Sequence, residues 1–311
     1  MANEGLTIQK RDDGVAILLM DLPGETMNTL KADFIDTFTA VFDQVESDPD
    51  IQAVVFASGK KDSFIAGADI TMLESIETAD DGERAGREGN KVMSRIENFP
   101  KPVVAAIHGV ALGGGLEVAL ACHARVVSDS KKTKLGLPES QLGLLPGAGG
   151  TQRLPRQVGV QPALDMMLTG KQIAAKKALK MGLVDDVVPP SILIETAAEL
   201  ALSRIGHKPK SESLIDQLKD KDAVAELALT KNPVGRKVLF DQARKQLHKQ
   251  TRGNYPAQDL IIDVVRAGLE GGFEAGLAAE ARAFGLLLTS PEAANLMSIF
   301  FATTALKKDS G

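Results

Sequence analysis

The 311 residues include 36 Lys and Arg against 41 Asp and Glu, a formal net charge of −5, with 44% hydrophobic and 25% charged residues. That is the make-up of a globular chain: it excludes extensive disorder and provides no basic field for nucleic acid or an anionic membrane. A single cysteine, Cys122, excludes an internal disulfide and a Cys-based zinc site, and the longest uncharged stretch, 102–116, is shorter than the ~20 residues of a membrane span.

Leu6–Gln9 and Val15–Asp21, around the turn-like Asp12-Asp13-Gly14, predict a β-hairpin. Phe34, Ile35, Phe38, Val41, Phe42 and Val45 fall at helical spacing within 31–46. A buried strand follows at 53–58, then a short helix at 69–76 and a longer one at 83–99 with a weak apolar stripe, stopped by Pro100 and Pro102. Strands are expected at 103–107, 124–128 and 184–188, and helices from the glycines at 113–115 to Ala121 and at 151–158, 162–168 and 174–181. Short strands alternating with helices predict a layered α/β domain whose loops carry the chemistry. Beyond Pro189-Pro190 the pattern turns helical, at 192–205, 212–229, 234–249, 257–268, 274–288 and 291–305, which predicts a boundary near 190. The N-terminal 14 residues lack an apolar signal core, so a cytoplasmic location is expected.

Three segments stand out: Phe64-Ile65-Ala66-Gly67-Ala68-Asp69-Ile70, His108 to Glu117 with Gly113, Gly114 and Gly115, and Leu137-Pro138-Glu139 followed by a loop containing Gly147. Glycines at a helix start leave N–H groups unpaired and unshielded, so a developing oxyanion can come close. The turn at 66–69 offers a second donor of the same kind, and two such donors aimed at one spot make an oxyanion hole. The same glycines would suit a phosphate, although neither the dinucleotide fingerprint nor the P-loop occurs. Glu117 and Glu139 each begin a helical segment, where an acid also simply complements the helix dipole. Together in an apolar site they would repel, leaving one ionised and one protonated, which suits addition of water to a double bond.

In combination and order, these segments over 6–190 resemble the crotonase (enoyl-CoA hydratase/isomerase) superfamily. The stretch 23–30, with Met27-Asn28-Thr29-Leu30, and the C-terminal motifs Gly253-Asn254-Tyr255-Pro256-Ala257, Glu280-Ala281-Arg282-Ala283-Phe284 and Ile299-Phe300-Phe301-Ala302 resemble the hydratase half of bacterial fatty acid oxidation α-subunits, the anaerobic type more closely. The resemblance implies a crotonase-like ββα superhelix over 1–190. It implies a mainly helical region over 191–311, leading towards an NAD-dependent 3-hydroxyacyl-CoA dehydrogenase half that this sequence lacks. It implies backbone N–H groups of Ala68 and Gly114 as the oxyanion hole, Glu117 activating water and Glu139 protonating Cα. Ala66, Gly67, Asp69, Gly113 and Gly147 line the enoyl-CoA thioester on the same ground. No metal or redox cofactor is implied for this chain; a thiolase β-subunit in an α2β2 complex is implied for the full-length parent. The reaction is syn hydration of trans-2-enoyl-CoA to (S)-3-hydroxyacyl-CoA, with Δ3-to-Δ2 isomerisation also within the family's range. Thr71 stands where many single-domain hydratases have a lysine, which leaves the CoA phosphate partner unassigned.

Other candidates are weaker. Cys122 and His123 adjoin on the predicted helix and point different ways, so a small core cysteine is the plainer reading than a nucleophile. His108 reads as a loop residue, and His207 and His248 as surface. The basic stretch 231–252, with a local net of +6, reads as a solvated helix face or as a flank for CoA phosphates. Phe273, Phe284, Leu286, Leu287, Leu288, Ile299, Phe300 and Phe301 give the tail an apolar surface, for packing or for docking the dehydrogenase half. A catalytically idle acyl-CoA-binding scaffold is the alternative from another class.

Overall fold

The computed structural model describes residues 5–206 and 232–308, and the chain forms two compact units. His207, Lys231 and the helix expected at 212–229 lie outside the described residues. The first unit takes in 5–69, 88–136 and 172–206, and the second 70–87, 137–171 and 232–308. Each is thus assembled from separate stretches of chain, and the division does not fall at residue 190.

The first unit contains two sheets. The larger has six strands in the order β1 (Leu6–Lys10), β2 (Val15–Met20), β3 (Ala53–Ser58), β5 (Val103–Ile107), β7 (Ala124–Ser128) and β10 (Asp186–Val188). The hairpin β1–β2 is antiparallel and every later pair is parallel, so the central strands are buried on both faces and read as unbroken apolar runs. Helix α1 (Phe34–Ser47) buries Phe34, Phe38, Val41, Phe42 and Val45, and Phe42 meets Phe99 edge-on with ring centroids 4.8 Å apart. Helix α8 (Leu193–Ser203) puts Leu193, Ala197, Ala198 and Ala201 against Val15, Val55, Val104 and Val126. A helix beyond the expected boundary therefore completes the first core, because its small residues let it lie close on the sheet.

The smaller sheet has the order β4 (Ser63–Ile65), β6 (Val110–Leu112), β8 (Lys134–Gly136) and β9 (Ile173–Ala174). Its first three strands are parallel and only three residues long, too short to carry a period. Between β6 and β7 lies α4 (Gly114–Ala121), an eight-residue helix buried on every side. Helix α7 (Ala175–Lys180) follows β9.

The second unit is helical: α2 (Ile70–Glu74), a 3-10 turn at Glu139–Leu142, α5 (Gly150–Val158), α6 (Val160–Thr169), α9 (Pro233–Thr251), α10 (Pro256–Gly271), α11 (Phe273–Leu288) and α12 (Pro291–Lys308). Helix α3 (Ala79–Glu97) belongs to it as far as residue 87. There Gly82 and Gly86 face Gly285 and Ala281: a Cβ on Gly82 would lie 2.8 Å from the Gly285 Cα, and one on Gly86 3.3 Å from the Ala281 Cα. Glycine permits this close approach, and it explains the weak apolar stripe read from the sequence. The aromatic tail divides: Phe284, Leu287 and Leu288 are buried, whereas Leu286, Ile299 and Phe300 stay exposed. Among the described residues no single helix is long and apolar enough to cross a membrane.

Candidate active site

The first functional segment is fixed by a short ladder to residues 28–30. Ala66 N donates to Asn28 O (2.8 Å), Leu30 N to Gly67 O (2.9 Å) and Asp69 N to Leu30 O (2.9 Å), forming a parallel bridge between Leu30 and Ala68. In such a bridge the two bonds bracket the middle residue, so Ala68 turns its own N–H to the opposite side. Gly67, at φ 122°, supplies the backbone turn that brings Ala68 round. Of the residues expected to line a substrate, Ala66 and Asp69 thus engage their amides inside the chain.

Helix α4 supplies the other donor. Gly113 N bonds Gly136 O of β8 (2.9 Å), and Gly113 O accepts from Leu116 N and Glu117 N. Gly113 has no side chain to cap the helix, whose positive end begins at Gly114. A Cβ on Gly114 would sit 3.7 Å from Ala68 N and 2.8 Å from Leu30 Cδ1, so Gly114 lies close to the Ala68 amide. A Cβ on Gly115 would lie 2.2 Å from Ile65 O. The three glycines therefore act differently. Gly113 turns the chain, Gly114 keeps the donor unshielded, and Gly115 lets the helix lie against β4.

Gly114 comes close to Ala68 because their strands are neighbours. Strands β4 and β6 pair in parallel, Ser63 with Val110 and Ile65 with Ala111, and each amide follows the carboxyl end of its strand by two or three residues. Crevices at the carboxyl ends of parallel strands are where α/β proteins bind ligands. Glu117 lies in the first turn of α4, 3% exposed. At the other end of α4, the buried Arg125 donates through Nη1 to Ala119 O (3.1 Å) and Cys122 O (3.0 Å) and through Nε to Leu183 O (2.9 Å). A cation on those last carbonyls complements the dipole and fixes the helix along its axis.

The other sequence candidates resolve as follows. Helix α4 stops at Ala121, so Cys122 and His123 do not share it. Burial pushes the Cys122 thiol up to about 12, which leaves it inert as a nucleophile. His123 Nδ1 accepts from Val103 N (2.9 Å), and burial holds its imidazole below the ordinary range. His108 Nδ1 lies 2.9 Å from Ser128 Oγ, which in turn meets Thr133 Oγ1 at 2.6 Å. Within the second unit, Glu139 opens the 3-10 turn and is half-buried, and its carbonyl accepts from Leu144 N (3.0 Å). Gly147 lies beneath Phe284, whose ring would be 2.7 Å from a Cβ there. The loop after it is held by Glu280, fully buried, whose carboxylate accepts from Gly149 N (2.6 Å), Thr151 N (3.1 Å) and the Thr151 hydroxyl. Part of the basic stretch is neutralised by α10: Arg244 pairs with Asp259 and Asp263, and His248 Nε2 is 2.9 Å from Asp259. Among the described residues, no group of three or more His, Cys, Asp or Glu could hold a metal.

The sequence reading assigned no role to Asn28, Arg125 or Glu280. Each is a buried polar group among apolar neighbours, a signal the sequence carries only faintly.

A model of the enoyl-CoA hydratase/isomerase family matches residues 10–255. The fatty acid oxidation complex subunit alpha of Shewanella amazonensis is 56% identical over 306 residues, 98% of this chain and 42% of that protein. The corresponding subunit of Shewanella loihica is 54% identical over 309 residues, 99% of this chain and 42% of that protein. The chain therefore spans less than half the length of these relatives. Among solved structures, an enoyl-CoA hydratase from Bacillus anthracis matches with a TM-score of 0.60 at 29% identity, covering 79% of this chain and 90% of that one. One from Mycobacterium tuberculosis gives 0.55 at 28% identity, covering 85% and 99%. On the family match and on the relatives' identity over nearly its whole length, this chain belongs to the enoyl-CoA hydratase/isomerase family.

Proposed function

We propose that this chain is an enoyl-CoA hydratase of fatty acid β-oxidation. The Ala68 and Gly114 amides hold the thioester oxygen of a trans-2-enoyl-CoA, and Glu117 takes a proton from water as its oxygen bonds to C3. The electrons of the double bond move towards the thioester oxygen, where the two N–H groups stabilise the enolate-like charge. Glu139 then gives a proton to C2 on the same side, and (S)-3-hydroxyacyl-CoA results. The observation that carries this reading is the approach of Gly114 to the Ala68 amide, with Glu117 one helical turn further on. Connectivity supports Glu139: β8 runs parallel to β6 and ends at Gly136, three residues before it. Two acid–base groups favour hydration over isomerisation as the main reaction. The relatives are named as subunits of a complex, which supports a multi-subunit assembly; from the sequence resemblance we propose for the longer protein an NAD-dependent dehydrogenase half, a thiolase β-subunit in an α2β2 complex and a cytoplasmic location.

The test follows the conjugated absorbance of crotonyl-CoA with this chain alone and with Glu117→Gln and Glu139→Gln. Each variant is expected to lose about 10²–10⁴-fold in kcat while still binding the thioester. Wild-type rates in both variants would remove the catalytic assignment and leave the acyl-CoA-binding scaffold.

A further inference from the structure

The segment 21–33, between β2 and α1, has no regular structure apart from the bridge at Leu30, yet it supports one side of the proposed oxyanion hole. What fixes it is one side chain. Asn28 is 0% exposed, and its amide lies within hydrogen-bonding distance of four groups. The two hydrogens of Nδ2 are shared among Met20 O (2.8 Å), Ser58 Oγ (2.9 Å) and Phe64 O (3.2 Å), and Oδ1 accepts from Leu22 N (3.0 Å). It therefore ties the ends of β2 and β3 in the large sheet to the middle of β4 in the small one. Its own carbonyl receives the Ala66 N–H, the first bond of the ladder that brackets Ala68.

Resting on the hydratase reading, we propose that Asn28 is a positioning residue for the reaction: it sets the depth and direction of the Ala68 N–H. The 28–30 segment and the 66–69 turn hold each other by three main-chain bonds, but that ladder could move as a unit. The Asn28 amide is the link that references it to the two sheets, and β4 of the small sheet is also the strand on which α4 lies. Few other side chains fit. Two acceptors on strand carbonyls and one donor on Leu22 require two donor hydrogens and an acceptor at one short branch point, which an amide has, whereas a carboxylate has no hydrogen to give and a hydroxyl only one. An oxyanion hole is sensitive to such referencing, since about 1 Å of misplacement costs on the order of 10²-fold.

The experiment uses Asn28→Ala, Ser58→Ala and, as a control of comparable burial, Val104→Ala in the large sheet. Hydration kinetics are read beside the absorption of a bound dimethylaminocinnamoyl-CoA, whose band moves to the red as its carbonyl is polarised. Asn28→Ala, kept at a temperature where circular dichroism shows it folded, is expected to lose about 10–100-fold in kcat with KM changed less than about threefold. Its red shift should shrink in step, whereas Val104→Ala loses stability with red shift and kcat unchanged. Ser58→Ala removes one acceptor and should show a smaller loss in the same direction, so it decides the matter if Asn28→Ala does not fold. Full red shift and wild-type kcat in a folded Asn28→Ala, or in Ser58→Ala should that variant be the only folded one, overturns the proposal; so does an equal loss in Val104→Ala. A wild-type chain with neither hydration nor red shift would instead overturn the hydratase reading beneath it.

Discussion

Helices α4 and α5 both start in glycine-rich turns, and the two starts end up in opposite conditions. At α5 the loop Gly147-Ala148-Gly149-Gly150 delivers its amides to the chain's own Glu280, whose buried carboxylate takes Gly149 N, Thr151 N and the Thr151 hydroxyl. At α4 the Gly113–Gly115 start has no side-chain cap, and a Cβ on Gly114 would sit 3.7 Å from Ala68 N, so the proposed donor lies beside the Ala68 amide. Both sequences advertise an anion site. Accounting for where each donor goes separates the one occupied by the fold from the one we propose as the oxyanion hole.

The largest expected effect comes from Gly115→Ala. The new Cβ would meet Ile65 O at 2.2 Å and Ile65 C at 2.8 Å, both backbone atoms of a strand that cannot retreat. We expect a loss above about 4 kcal/mol, read as insoluble expression or a collapsed urea midpoint. Gly114→Ala, one residue earlier, should fold, because its closest clash is the flexible end of Leu30 at 2.8 Å. There the methyl occupies the space before the Ala68 amide, so kcat falls about 10²–10³-fold, the scale of one lost oxyanion donor. If the two alanines behaved alike, the distinct roles of these glycines would be wrong.

Glu280→Gln tests the other helix start. It leaves one oxygen to serve donors that now share two and turns an NH2 towards another donor, at a cost of about 1.5–3 kcal/mol in stability. Equilibrium urea unfolding measures it, and Thr151→Ala should recover part of the loss in a double-mutant cycle because the two side chains share one bond. Additive losses would show that Glu280 does not act as the cap of α5.

These outcomes bear on what the sequence could reveal. The large sheet was legible because its central strands, five or six residues long, are mostly apolar runs, and α1 because its aromatics repeat every four residues. The small sheet was not: three-residue strands leave no pattern, although the proposed oxyanion hole hangs from two of them. Ala68, Gly114 and Glu117 were legible as parts of a motif, and the pairing of β4 with β6 explains why Gly114 lies close to Ala68. Asn28 and Glu280 were visible only as letters within a resemblance. Glu280 reaches donors about 130 residues away in sequence, and no local rule reports such a bond. The boundary expected near 190 followed a real change of composition, but α8 covers the large sheet and so belongs to the first core.

The smallest effect concerns His123, just past the end of α4, and asks whether that end is as tightly set as the start. Its Nδ1 accepts the Val103 N–H, so the folded chain holds the neutral ring, and burial keeps its pKa below the ordinary 6.5. The unfolded chain takes up a proton near 6.5 that the folded chain refuses until a lower pH. The contribution is therefore complete above 6.5 and is lost as pH falls towards the folded-state value, with a slope no steeper than about 1.4 kcal/mol per pH unit for one proton. Urea midpoints between pH 7.5 and 5.5 (a window chosen at roughly one unit either side of an unperturbed imidazole) should drop for the wild type. They should drop less for His123→Asn, which keeps an acceptor for Val103 but carries no titrating group. Parallel slopes in the two proteins would mean that the ring opens to solvent and that the C-terminal end of α4 is looser than its start.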